Sequence, residues 1–219
     1  MKKLFALSLT LLTLFLCLTL TACKDKFTLL DYVSVLNYDV YQAEYKGLTL
    51  TANYGYTEEP LVFDGKVGKT TYYLTVTLPI NEENITYKIK LVGVDGEWNF
   101  KHDLHTATLK AKIPLSKHLV KFDATVICES EQTTVNFTSI IPPNTLAPKD
   151  ALKHLEKAQQ TYVNSYMKDG IFTAEIILKL SVFKNSAYYY VAISDSDDNY
   201  KAMLINGATG ELLAIRNVY

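Results

Sequence analysis

The sequence predicts an all-β sandwich followed by a small α+β domain, and three observations carry that expectation. From about Asp31 to Ile141, apolar and polar residues alternate in short runs, the pattern of strands with one buried face. Prolines 142, 143 and 148 then interrupt the alternation. Beyond them apolar residues recur at helical spacing before strand-like runs resume.

The alternating runs come in order. Leu48, Leu50, Ala52 and Tyr54 alternate with threonines and Asn53. Tyr72, Leu74, Val76 and Leu78 follow, and Pro79 ends that run. Further runs are Ile85–Leu91, Ala107–Ile113, Phe122–Cys128 and Val135–Ile141. Between them lie Gly65, Gly68, Pro79-Ile80-Asn81, Gly93-Val94-Asp95-Gly96 and Pro114, all turn chemistry. Cys128 falls on the inward side of its run and reads as a small core residue.

Ile141 to Pro148 cannot continue a strand, so the domain boundary falls there. Ala151, Leu152, Leu155, Ala158, Tyr162, Val163 and Tyr166 then predict an amphipathic helix, with Gly170 as its candidate C-cap. Ile171–Phe183, Tyr188–Ile193, Ala202–Ile205 and Glu211–Ile215 predict an antiparallel meander for that helix to cover. The expected organisation is residues 1–22 as an export signal, 23–30 as a short tether, 31–141 as the sandwich, 142–149 as a Pro-rich linker and 150–219 as the α+β domain.

The start of the chain supports an export signal. Lys2 and Lys3 precede the uncharged run Leu4–Ala22. Leu20-Thr21-Ala22-Cys23 resembles the lipobox of bacterial lipoproteins at all four positions. That resemblance implies cleavage before Cys23 and a diacylglycerol on its thiol, and so a protein anchored through Cys23 to the extracytoplasmic face of the cell membrane. Two acyl chains give stable anchoring, where one gives marginal binding. With Cys23 lipidated and Cys17 removed, Cys128 has no cysteine partner within the chain. Lys24-Asp25-Lys26 is a short polar spacer before apolar residues resume at Phe27, so the folded part is expected close to the bilayer.

The other two parts have architectural likenesses. The first is similar to immunoglobulin-like sandwiches of cell-surface proteins, without their paired cysteines around a tryptophan. The last part resembles the PepSY domain in its helix-then-strands order and in Tyr190-Val191-Ala192-Ile193, Asp197-Asp198, Tyr200, Leu204-Ile205-Asn206 and Thr209-Gly210-Glu211-Leu212-Leu213. Asn206 stands where that pattern usually has Asp. The resemblance implies a non-catalytic module that binds partners or regulates peptidases in the cell envelope.

Composition excludes several classes. With 22 basic and 23 acidic residues there is no basic excess for a nucleic-acid footprint. At 48 % hydrophobic residues the chain is not expected to be disordered. Three cysteines do not make a disulfide scaffold.

Catalytic and cofactor motifs are equally sparse. Phe63–Thr70 ends like a phosphate loop, but Phe63 replaces the required Gly and a strand follows where a helix is needed. His102 and His105 sit three apart in an extended segment and therefore diverge. His118 and His154 read as isolated surface residues. Asp195–Asn199 opens like a calcium loop, yet Tyr200 and Asn206 hold the positions that need Gly and Glu, so a polar turn is expected. No nucleophile elbow occurs. No cofactor, metal or catalytic residue is expected.

Tyrosine is abundant, 16 residues, and the consecutive Tyr188, Tyr189 and Tyr190 must be shared between two sheet faces. The functional expectation is a non-enzymatic envelope lipoprotein that binds or regulates another envelope protein through an aromatic sheet face or a free sheet edge. The alternatives are a solute- or glycan-binding receptor, which needs an aromatic-lined pocket, and a cryptic hydrolase, which needs converging titratable groups.

Overall fold

The computed structural model describes residues 27–80, 85–196 and 200–218. Cys23 and the export signal lie outside the described residues, as do residues 197–199 of the acidic turn. Among the described residues, no helix is long and apolar enough to cross a membrane.

The chain is mostly antiparallel β-structure with two short helices. Its first part contains β1 (Val33–Tyr45), β2 (Leu48–Glu58), β3 (Thr70–Leu78), β4 (Tyr87–Leu91), β5 (Trp98–Asn99), β6 (Lys101–Asp103), β7 (Thr108–Pro114), β8 (Lys121–Cys128) and β9 (Glu131–Ser139). The six alternating runs correspond to β2, β3, β4, β7, β8 and β9. Neighbours follow the order β6-β7-β3-β2-β1-β9-β8-β4-β5. Only Phe100 separates β5 from β6, and its backbone N–H donates to the Tyr87 carbonyl at 2.9 Å. Residues 98–103 thus nearly close one continuous sheet on itself, which hides most strand edges. The inward residues Leu50, Val76, Ile89, Ile113, Val126 and Phe137 are fully buried, and the Phe122 and Phe137 rings stack with centroids 4.7 Å apart.

The second part contains α1 (Pro148–Ala158), α2 (Gln160–Ser165), β10 (Met167–Lys168), β11 (Ile171–Phe172), β12 (Glu175–Phe183), β13 (Ser186–Ser194), β14 (Tyr200–Asn206) and β15 (Leu212–Val218). The expected single helix is two, because Gln159 leaves helical geometry at φ −123°, ψ 32°. Gly170 does not cap it. With Asp169 it forms a two-residue turn of positive φ between β10 and β11. Pro148 occupies the start of α1, where its missing N–H costs nothing. β12 to β15 form the expected meander. Ala151, Leu152 and Leu155 of α1 pack with Ile176, Tyr189 and Met203 in a second core. Burying each leucine contributes about 1.5–3 kcal/mol.

β1 is the strand that the alternation did not reveal, and it serves both parts. Its start pairs in parallel with β12, at Val33↔Ile176 and Leu36↔Leu178. Its end pairs with β9, at Tyr41↔Ser139, and β2 runs along nearly all of it. Leu29, Val33, Leu36 and Val40 lie in the second core, whereas Tyr41, Ala43 and Tyr45 lie in the first. Residues 27–40, divided on sequence between a tether and the sandwich, therefore pack largely with the α+β part.

Tyr38 packs against both cores, and there the β1–β2 register shifts between Asn37 and Asp39, just ahead of the change of core between Val40 and Tyr41. Such a bulge bends a strand and redirects its side chains. Gly55 makes it possible, because a Cβ there would sit 1.7 Å from the Leu36 carbonyl oxygen.

The proline-rich linker is likewise tied down. Just before it, Ile140 N–H donates to the Val40 carbonyl at 3.0 Å, and within it Leu146 N–H donates to the Gly207 carbonyl at 2.7 Å. The Tyr189 hydroxyl donates to the Leu146 carbonyl at 2.7 Å.

Gly55→Ala is expected to destabilise the chain by about 3 kcal/mol or more, since backbone must move. Gly93→Ala, at φ +80° with nothing within 4 Å, should cost only about 1 kcal/mol of backbone strain. Urea unfolding of both variants checks the contrast, and equal costs would contradict it.

Candidate functional site

The meander has two faces, and the helices cover one. On the covered face Ile176, Leu178, Tyr189, Val191, Ile193 and Met203 are buried. Strand alternation and register put Ile177, Tyr188, Tyr190, Tyr200 and Leu204 on the other face. These five are half-buried and belong to neither hydrophobic core. Lys179 and Arg216 are exposed on the same face, opposite Tyr190 and Ala202 respectively. The result is a tyrosine-bearing sheet face with two cations. Packing against its neighbours raises the Tyr190 hydroxyl pKa through desolvation, so the ring stays neutral at physiological pH.

β15 borders this surface. Within the described sheet it pairs with β14 alone, so its outer backbone groups have no strand beside them. Leu213 and Ile215 on it are exposed. A free edge beside an aromatic face is suited to strand addition by an extended segment. The three consecutive tyrosines divide as alternation requires, with Tyr189 inward and Tyr188 and Tyr190 outward. Asn206, the departure from the PepSY pattern, accepts from the Ala208 and Thr209 N–H groups through Oδ1 and so holds the β14–β15 turn.

Two polar clusters lie elsewhere. In the first, Asp39 accepts from Val40 N–H, the Tyr41 hydroxyl and the Ser139 hydroxyl, and its Oδ2 lies 2.6 Å from His118 Nε2. The His118 ring packs beside Tyr38 and Tyr54. His118, expected as an isolated surface residue, is therefore half of a carboxylate–imidazole pair. Nothing in the sequence signals a partner 79 positions away. The Tyr41 hydroxyl lies 3.1 Å from His118 Nε2 and also bonds to Asp39, while Ser139 bonds to the carboxylate and not to the imidazole, so the order of a serine relay is not met.

The second cluster is a row across three strands. Glu175 on β12 accepts from the Ser34 hydroxyl on β1 and from Gly65 N–H at 2.9 Å. Glu58 on β2 accepts from Gly68 N–H at 2.6 Å. Glu58 and Glu175 are 4 % and 1 % exposed, and Glu58 Oε2 has no hydrogen-bond partner among the described residues. The Phe63–Thr70 segment, expected as a hairpin turn, covers both carboxylates with its glycine amides. Burial, reinforced by the Glu58 carboxylate, pushes the Glu175 carboxyl up to about 7.

The remaining candidates scatter. His102 is exposed on β6 and His105 follows in the turn. His154 faces Gly210, where a Cβ would meet the imidazole at 2.4 Å. Cys128 is free, half-buried and packed against the first core. Among the described residues no group of three His, Cys, Asp or Glu side chains is placed to hold a metal ion. The chain matches no protein-family model, no curated protein and no solved structure.

Because folding raises the Glu175 pKa, the folded state holds that proton more tightly than the unfolded chain does. Its contribution is greatest at acid pH and is lost as pH rises through the ordinary carboxylate range to about 7. Glu175→Gln removes this loss, so the variant is expected to be more stable than the native chain at pH 8 by on the order of 2 kcal/mol, with the gap closing below pH 4. Chemical denaturation across that range reads the difference, and a gap independent of pH would contradict the assignment.

Proposed function

We propose that this chain is a lipid-anchored extracytoplasmic protein that binds or regulates another protein of the cell envelope. The observation that supports it best is the outer meander face, with Tyr188, Tyr190 and Tyr200 beside the free edge of β15. Tyrosines provide large, rigid contact area at little entropic cost, and a sheet edge provides backbone hydrogen bonds. In this reading Cys23 carries the diacylglycerol, the first part is an immunoglobulin-like scaffold and the second a PepSY-like binding module. Among the described residues, Ser139 bonds to Asp39 and not to His118, and the Glu58–Glu175 row is buried.

The test is partner capture from native membranes by mild crosslinking at native expression level. The full chain is compared with Cys23→Ala and with a Tyr190→Ala, Leu204→Lys double variant. One reproducible protein is expected with the full chain, lost with Cys23→Ala and reduced at least tenfold in the double variant. Capture undiminished in the double variant would assign the binding elsewhere. Normal anchoring and maturation of Cys23→Ala would overturn the lipid anchor.

A further inference from the structure

The exposed side of α1 carries lysines at one-turn intervals, Lys149, Lys153 and Lys157. Its other side carries Ala151, Leu152 and Leu155, buried in the second core. Among the described residues none of these three lysines is in an ion pair; in the first part Lys46, Lys88, Lys110 and Lys112 face carboxylates, and Lys90 and Lys121 do not. Lys201 extends the row past α2, with its ammonium 3.6 Å from the Tyr162 ring centroid, and it shares a shallow depression with Lys157. Asp150 and Glu156 flank the row without pairing to it. A cation in the first turn, as Lys149 is, opposes the helix dipole. The stability of α1 therefore does not account for it.

This row lies where the chain joins the fold. Phe27, Thr28 and Leu29 line a cleft of about 320 Å³ together with Leu152, the cations Lys149 and Lys153 and the carboxylates Asp150 and Glu156. Cys23 stands four residues before Phe27, and four residues span at most about 14 Å. A lipid on Cys23 thus holds the start of α1 beside the bilayer, with Lys24 and Lys26 in the connecting segment.

We propose that the Lys149–Lys153–Lys157 face of α1 rests on the anionic phosphate headgroups of the membrane that Cys23 anchors. This rests on the lipid-anchor reading and adds an orientation to it. The bilayer lies against α1, α1 lies against one face of the meander, and the tyrosine-bearing face points away from the membrane toward a partner. Each lysine near an anionic surface contributes a roughly fivefold preference for it, and high salt screens that attraction.

The test uses the full lipidated chain in vesicles of phosphatidylcholine, alone or with one-third phosphatidylglycerol. Lysine acylation is read peptide by peptide, with the exposed Lys90 and Lys121 of the first part as references. Lys149, Lys153 and Lys157 are expected to label at least about fivefold less on the phosphatidylglycerol vesicles, and half-molar salt should restore them. Equal labelling on both vesicles, with a diacylglycerol found on Cys23, overturns this orientation and leaves the anchor standing. Protection on both vesicle types overturns the role of headgroup charge. A Cys23 peptide without lipid overturns the anchor and this inference together.

Discussion

The fold depends on one strand that belongs to two cores. β1 pairs in parallel with β12 at its start and antiparallel with β9 at its end. Its side chains serve the second core up to Val40 and the first core from Tyr41. A bulge at Tyr38 lies between the two pairings, and Gly55 leaves the space for it. The nearly closed sheet and the helix-covered meander are therefore joined through the middle of a shared strand. The proline-rich segment is a second connection, itself fixed at Leu146 by hydrogen bonds to Gly207 and to Tyr189.

The polar clusters follow from this joint. Glu175, Ser34 and Glu58 stand in a row because β12, β1 and β2 are adjacent there. Two carboxylates beneath one loop is a destabilising arrangement unless a proton is shared or retained, which is the physical reason for the raised Glu175 pKa. Asp39 lies just after the bulge and gathers Tyr41, Ser139 and His118 from β1, β9 and the segment before β8. Both clusters tie the chain around the joint; the Glu58–Glu175 row is buried, whereas His118 is exposed. The surfaces that remain are the outer meander face, the β15 edge and the lysine side of α1.

Much of the β-structure was legible in the sequence, because strands with one wet face print their alternation directly. The meander was legible for the same reason, but its first turn, read from the sequence at Asn185-Ser186, falls one residue earlier at Lys184-Asn185, both at positive φ, with Ser186 already in β13. β1 was not legible. Its burial follows no period of two, since it contributes to one core up to Val40 and to the other from Tyr41. The break at Gln159 was hidden because its neighbours keep helical spacing on both sides. Of the candidate site, Tyr188 and Tyr190 were readable as outward residues once Tyr189 is inward. The Glu58–Glu175 and Asp39–His118 pairings were not, because their partners meet only through the tertiary fold. The lysine row was present in the sequence at four-residue spacing, but its nearness to Phe27 depends on how the chain start packs against α1.

Native-state hydrogen exchange on the native chain and on Val33→Ala tests the joint most directly. Val33 is fully buried in the second core, at the β1–β12 pairing, and its truncation should cost about 2 kcal/mol. If β1 makes the two cores one cooperative unit, the slowest amides of β3 and of β13 lose protection by the same amount. Loss of protection in β13 alone, with β3 unchanged, would show two independently stable halves and contradict the account.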